Sequence, residues 1–251
     1  MAYDDLWEYA PDEGIARHGE FRLTVVEQPF PDGTGALPAH DPVRAREFAA
    51  SLGTVDAVVE EAGRIEAVER MPFATRADLD LVGVGCWGRV TEVNDPALVT
   101  AGGSFPLAEQ ADALAARFPG AVVIGSARID HGVAYRAQVI HHPDGVRLFA
   151  AGWSGENDWD RDGSVREVAR AFGIGAGDLA GAGLELDDSD GDFDWEGLAR
   201  LALRRVGPLA RAGRTLSVFR VRRTEEAAGD LEDTWIGEQE DASDDGFDEE
   251  F

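Results

Sequence analysis

The sequence predicts an α+β fold. The expected architecture is a mostly antiparallel sheet with a central meander over about 120–153, flanked by several short helices, plus an acidic C-terminal tail. Three observations predict it. Apolar runs with strand character come in series, as AVVIGSARI (121–129), VAYRAQVIHH (133–142) and VRLFAAGW (146–153), the last two joined by the turn Pro143-Asp144-Gly145. Helical periodicity recurs in short pieces that keep no strict β-α-β order. From Glu225 to Phe251 there are 13 acids and no base, a run that repels itself and buries little. One domain is therefore expected over 1–224, with 1–14 flexible, and a tail over 225–251 that is disordered unless bound.

FRLTVVEQP (21–29) alternates Phe21, Leu23 and Val25 and stops at Pro29, as a strand does. After a Pro/Gly-rich loop, Val43 to Leu52 reads as a helix, with Asp41 as N-cap, Pro42 at the first helical position and Gly53 as a stop. A second short helix is expected from Val55 to Glu61, closed by Gly63. LDLVGVGCWGRVTEV (79–93) reads as two strands or one long bent strand, with Gly83, Gly85 and Gly88 marking a bulge or a close backbone approach. Pro106 to Phe118 is an amphipathic helix with Ser104 as its cap and Leu107, Ala111, Leu114 and Phe118 on one stripe. Helices are also expected at 164–172 and 195–206, and TLSVFRVRR (215–223) as the last strand, with Arg220, Arg222 and Arg223 toward solvent or acids.

Composition excludes several functions. The chain has 251 residues, 44% of them hydrophobic, enough for a sizeable core. No run of 18 apolar residues occurs, so no membrane span is expected. The acidic N-terminus lacks a signal-peptide pattern, and the single Cys86 rules out an internal disulfide, which together point to the cytoplasm. There are 49 acids against 23 bases, a net charge of −26, and every base is arginine. Without lysine there is no P-loop lysine, no Schiff base and no kinase-type lysine. The negative field repels polyanions, so direct nucleic-acid binding is not expected, and basic proteins or cations are the natural partners.

Residues 157–164, NDWDRDGS, carry the one metal-like spacing. Asp158, Asp160 and Asp162 fill positions 1, 3 and 5 of a calcium loop, Gly163 fills position 6 and Val165 is apolar at 8. Position 12 is Ala169, which offers no carboxylate, and Glu167 lies two residues early. The competing reading is an acidic turn that caps the next helix. A second cluster, Asp188, Asp190, Asp192 and Asp194, lacks the loop glycine and also reads as a helix cap. His131 and His141-His142 fall at opposite tips of a hairpin, and no H-x-H or H-E-x-x-H spacing occurs. Ser154 fails the G-x-S-x-G pattern, and Cys86 reads as a buried, inert thiol. VGVGCWG (82–88) is only superficially like a dinucleotide loop, because no helix opens after it.

LPAHDPVRAREFAASLGTVDAVVEE (37–61), TRADLDLVGVGCWGRV (75–90) and FRVRRTEE (219–226) resemble an uncharacterised family of acidic proteins from streptomycete-type actinobacteria. The resemblance implies a cytoplasmic bacterial protein and no known activity, cofactor or site. The leading functional expectation is a non-enzymatic binding or regulatory protein that engages a basic protein partner. Trp235, Phe247 and Phe251 would be its anchors, with Glu232 and Asp233 among the contacting acids. The alternatives are a calcium-binding protein or weak metal-dependent hydrolase using Asp158, Asp160, Asp162 and Glu167, and a mimic of nucleic acid. Calcium is the one candidate cofactor.

Overall fold

The computed structural model describes residues 6–31, 37–69, 71, 73–100, 104–156, 158–185, 193–207 and 213–236. Among these, nine strands form one antiparallel sheet. They are β1 (His18–Glu27), β2 (Val55–Glu66), β3 (Leu81–Trp87), β4 (Val90–Asn94), β5 (Ala121–His131), β6 (Val133–His141), β7 (Arg147–Trp153), β8 (Asp160–Gly163) and β9 (Thr215–Arg223). Their order is β2-β9-β3-β4-β1-β5-β6-β7-β8. The helices are α1 (Pro42–Ala49), α2 (Pro106–Arg117), α3 (Val165–Ala171), α4 (Ala176–Ala182), α5 (Trp195–Val206) and α6 (Glu225–Trp235). The α+β class and the β5-β6-β7 meander are as the sequence predicts. Asp41 caps α1, accepting from Val43 N and Arg44 N at 3.1 Å each.

The sheet has two unequal faces. One is covered along its length by α1, α2 and α6, whose Phe48, Leu107, Leu114, Leu231 and Trp235 pack on Leu23, Val84, Val123, Val139 and Phe219. The other carries α3, α4 and α5 over one end only. There Val168, Leu179, Leu198 and Val206 meet Val26, Ile124, Ile140 and Leu148. Beyond these helices an open cleft lies over β1, β5 and β6, and past it Met71 packs on Leu81 and Val218.

Three expectations change. Val55–Glu61 is not a helix but the start of β2. Bulges between Val55 and Ala57, Val58 and Glu60, and Glu61 and Gly63 each insert a residue against β9, so the two-residue alternation is lost and the apolar spacing imitates a helix. Arg220 and Arg222 of β9 pair with Glu60 and Asp56 and hold the strand in place. Ser104 does not cap α2: its N-cap is Phe105, with no side-chain hydrogen bond.

The third change concerns the C-terminal acids. Residues 225–235 belong to the body, as α6, capped by Thr224. Ala227, Ala228, Leu231, Thr234 and Trp235 fall on one face at helical spacing, and all are buried. Trp235 is 1% exposed and stands edge-on to Phe21, with centroids 5.8 Å apart. Glu232 turns inward and accepts from Glu8 N at 2.8 Å and Tyr9 N at 2.9 Å. Those bonds tie down the N-terminal segment, where Trp7 is buried under the Arg76 guanidinium at 4.6 Å. The N-terminal segment is thus tied to α6 at Glu8 and Tyr9, while Pro11 O and Glu13 O accept from Ala77 N and Arg76 N. Residues 237–251, with Phe247 and Phe251, lie outside the described residues.

A buried ion pair locks this side together. Arg223 and Asp95, both 0% exposed, meet at 2.8 Å. Removing one partner would strand the other charge, so Asp95→Ala is expected to cost about 3–5 kcal/mol in urea unfolding, and a loss below about 1 kcal/mol would contradict this account. Trp235→Ala should cost a similar ~3–5 kcal/mol, whereas a solvated tail residue would show almost none.

Candidate functional site

The uncovered part of the second face is a cleft of about 300 Å³, at the small end of the range for ligand sites. Its floor is set by strand register. Residues directly opposite across strands share a face, so one row runs Glu20 (β1), Arg128 (β5), Arg136 (β6), Gly152 (β7). The next row runs Arg22, Ser126, Gln138, Ala150. Alternate residues of the same strands, Phe21, Ala127 and Ala137, point into the core of the other face. Polar and apolar residues thus alternate strictly here, and the polar set faces the cleft.

The floor side chains differ in their commitments. Arg22 lies 3.5 Å from the buried Glu92. Arg128 pairs with Asp130 at 2.7 Å on its own strand. Gln138, 4% exposed, donates its amide to Gly125 O. That leaves its carbonyl oxygen as an acceptor. Arg136 makes no ion pair among the described residues and stands opposite Arg128. Two guanidiniums in directly opposed positions repel each other.

Two walls stand on glycines. Trp159 lies flat against β7 over Gly152, where a Cβ would come within 2.6 Å of the ring's Cγ. Trp159 stacks on Trp195 at 6.2 Å, and Phe193 meets Trp195 edge-on at 4.6 Å. Trp195 opens α5, which Asp194 caps by accepting from Gly197 N at 2.8 Å. Opposite, Met71 lies over Gly83, where a Cβ would meet its sulfur at 2.7 Å. Phe73 and Val68 complete that wall. Each glycine is a socket for a large side chain from a distant segment. Glu20, Glu69 and Glu196 also line the cleft.

The residues singled out in the sequence lie elsewhere. Asp160 and Asp162 are exposed on the edge strand β8, with Asp162 opposite Phe149 and paired to Arg147. The stretch is extended, unlike a calcium loop, and its Asp alternation is the two-residue period of a strand. A short, charged edge strand also resists pairing with another chain. Glu167 is exposed in the first turn of α3, and Asp158 is exposed ahead of β8. Among the described residues, no group of three or more His, Cys, Asp or Glu side chains is placed to hold a metal ion. Asp194 does cap a helix, as expected, while Asp188, Asp190 and Asp192 fall outside the described residues. Of the proposed partner contacts, Trp235 and Glu232 are internal and Asp233 is exposed.

The one Ser–His contact seen among the described residues has the wrong polarity for catalysis. His40 Nδ1 accepts from Cys86 N at 3.2 Å, so in the neutral ring Nε2 carries the proton and donates to Ser217 Oγ at 3.0 Å. Ser217 in turn donates to Glu61 Oε1 at 3.1 Å. A nucleophilic serine would need the histidine as acceptor. Cys86 is fully buried, and burial pushes its thiol pKa up, which leaves it inert.

Sequence reading missed Trp159, Trp195, Arg128, Arg136 and Gln138. The signal was present in the meander, where Ser126/Arg128 and Arg136/Gln138 are polar at alternate positions of adjacent strands. Trp159 was hidden between aspartates that drew attention to metal.

The family of unknown function DUF6333 has a family model that matches residues 6–238. The chain belongs to this family. The DUF6333 match spans the sheet, all six helices and both walls of the cleft. No curated protein and no solved structure gives a significant match. No helix among the described residues is long and apolar enough to cross a membrane.

The geometry makes two tests available. Gly152→Val should displace Trp159, cost about 1–3 kcal/mol and shift tryptophan emission; an unchanged spectrum would contradict the packing of Trp159 on Gly152. Burial lowers the His40 pKa below its ordinary 6.5, and its neutral form accepts from Cys86 N. The unfolded chain takes up the proton first, so His40 removes stability as the pH falls through 6.5 toward the folded value. In His40→Asn the stability should fall less than in the wild type between pH of about 7.5 and 5.5. Equal pH slopes would contradict the role given to His40.

Proposed function

We propose that this chain is a non-enzymatic binding protein and that the cleft over β1, β5 and β6 holds its ligand. The observation that carries this reading is the pair of walls. Trp159 and Met71 reach the sheet from opposite sides, each over a glycine, and leave between them a floor of hydrogen-bonding side chains on rigid strands. Pre-formed apolar walls with a few placed polar groups are what small-molecule sites have in common. In this reading the protein works in the cytoplasm of a streptomycete-type actinobacterium, as the family resemblance and the single cysteine imply.

A second reading keeps the basic protein partner. It is supported by α6, where burial, and then the neighbouring Glu226 and Asp233, push the Asp230 pKa up. Acids crowded on one side of a helix gain from an approaching cation, and such binding weakens with salt. Its test is capture from a native lysate with the full chain and with a chain ending after Ile236, at low and high salt. A basic protein lost at high salt supports it, and capture that is insensitive to salt counts against it.

The cleft reading is tested with a neutral fluorescent probe, N-phenyl-1-naphthylamine. Saturable one-to-one binding is expected, and it should be lost in Ser126→Trp, which fills the floor, with the melting temperature kept. Binding that survives the substitution would reject the cleft as the site.

A further inference from the structure

From the charges on the cleft floor we infer the class of ligand: a flat or apolar organic body bearing a single negative charge of the carboxylate type. The inference rests on the cleft reading above and adds to it the sign and size of the charge. In a chain with 49 acids and 23 arginines, an arginine has acids to spare as partners. The floor nevertheless sets Arg136 directly opposite Arg128, with Gly152 on its other side. Arg128 is held by Asp130. Arg136 has no such acid among the described residues. Arg128 is balanced by Asp130 and by Glu20 on its other side, so an anion over this like-charged pair is drawn to Arg136.

The planar guanidinium of Arg136 suits bidentate binding of a carboxylate. Ser126 Oγ lies in the neighbouring row as a further donor. The body of the ligand would then extend toward the stacked rings of Trp159 and Trp195, with Met71 and Phe73 on the far side. The carboxylates of Glu20, Glu69 and Glu196 around the cleft oppose a dianion, which selects against phosphate esters.

The test uses probes on one ring system, read by isothermal titration calorimetry: 2-naphthoate, 2-naphthylmethanol, 2-naphthylmethylammonium and 2-naphthyl phosphate. The full chain should bind naphthoate about tenfold or more tighter than the alcohol, and the ammonium weakest. Naphthyl phosphate should bind more weakly than naphthoate. Arg136→Gln should bring naphthoate down to the level of the alcohol, leave the alcohol unchanged and keep the melting temperature. If the alcohol, the ammonium or the phosphate binds as tightly as naphthoate, or Arg136→Gln leaves the preference intact, the charge inference falls while the cleft reading stands. If no probe binds the wild type at millimolar concentration, or all bind equally to Ser126→Trp, both fall.

Discussion

The fold turns on one buried ion pair. Arg223 ends β9 and Asp95 comes just after β4, and both are sealed from solvent. Burying two charges is tolerable only when their remaining donors and acceptors are also met. Arg223 accordingly donates to Leu79 O at 2.9 Å and 2.5 Å and to Leu81 O at 3.3 Å, while Asp95 accepts from Thr54 Oγ1 at 2.6 Å and Ala97 N at 3.0 Å. The ion pair thereby joins the end of β9, the turn before β3 and the loop after β4, and through Asp95 the loop before β2. Thr224, the next residue, is the cap of α6, so the pair also fixes where that helix starts.

The ion pair sets up a division of labour between the two faces. With α6 anchored, Trp235 fills the far face, its indole donates to Pro96 O at 3.3 Å, and the N-terminal segment closes over it through Glu232 and Arg17. That face is complete. The other face receives only α3, α4 and α5, which is too little to cover nine strands. A sheet face left bare is prone to association when it is apolar. This one is polar where it is bare, with Arg22, Ser126, Arg128, Arg136 and Gln138 placed where the helices stop short. The molecule therefore keeps a cleft without exposing a large apolar patch.

Much of this was legible in the sequence. The meander was visible because 121–153 keeps its alternation and its turn residues. α1 and α5 were visible because Asp41 and Asp194 are efficient caps ahead of periodic apolar runs. β2 was not, because three bulges erase the period that marks a strand. α6 was masked by charge: averaged over 225–251 the composition says tail, yet Ala227, Ala228, Leu231, Thr234 and Trp235 form a stripe that says helix. Local pattern outweighed bulk composition there. The cleft floor was latent in the alternation of β5 and β6. Its walls were not, since they require segments near 71, 159 and 195 to converge, and nothing local in the sequence encodes that meeting.

If the cleft is the binding site, a ligand enters between Trp159 and Met71. The chain has six tryptophans, which makes the indole N–H signals a built-in map. Titration of isotopically labelled protein with 2-naphthoate, monitored by two-dimensional NMR, reads them all at once. The account predicts that the Trp159 and Trp195 signals move together and saturate, while those of Trp7, Trp87 and Trp235 stay in place. Movement of the latter set, or no movement of the Trp159 and Trp195 pair at saturating probe, would contradict it.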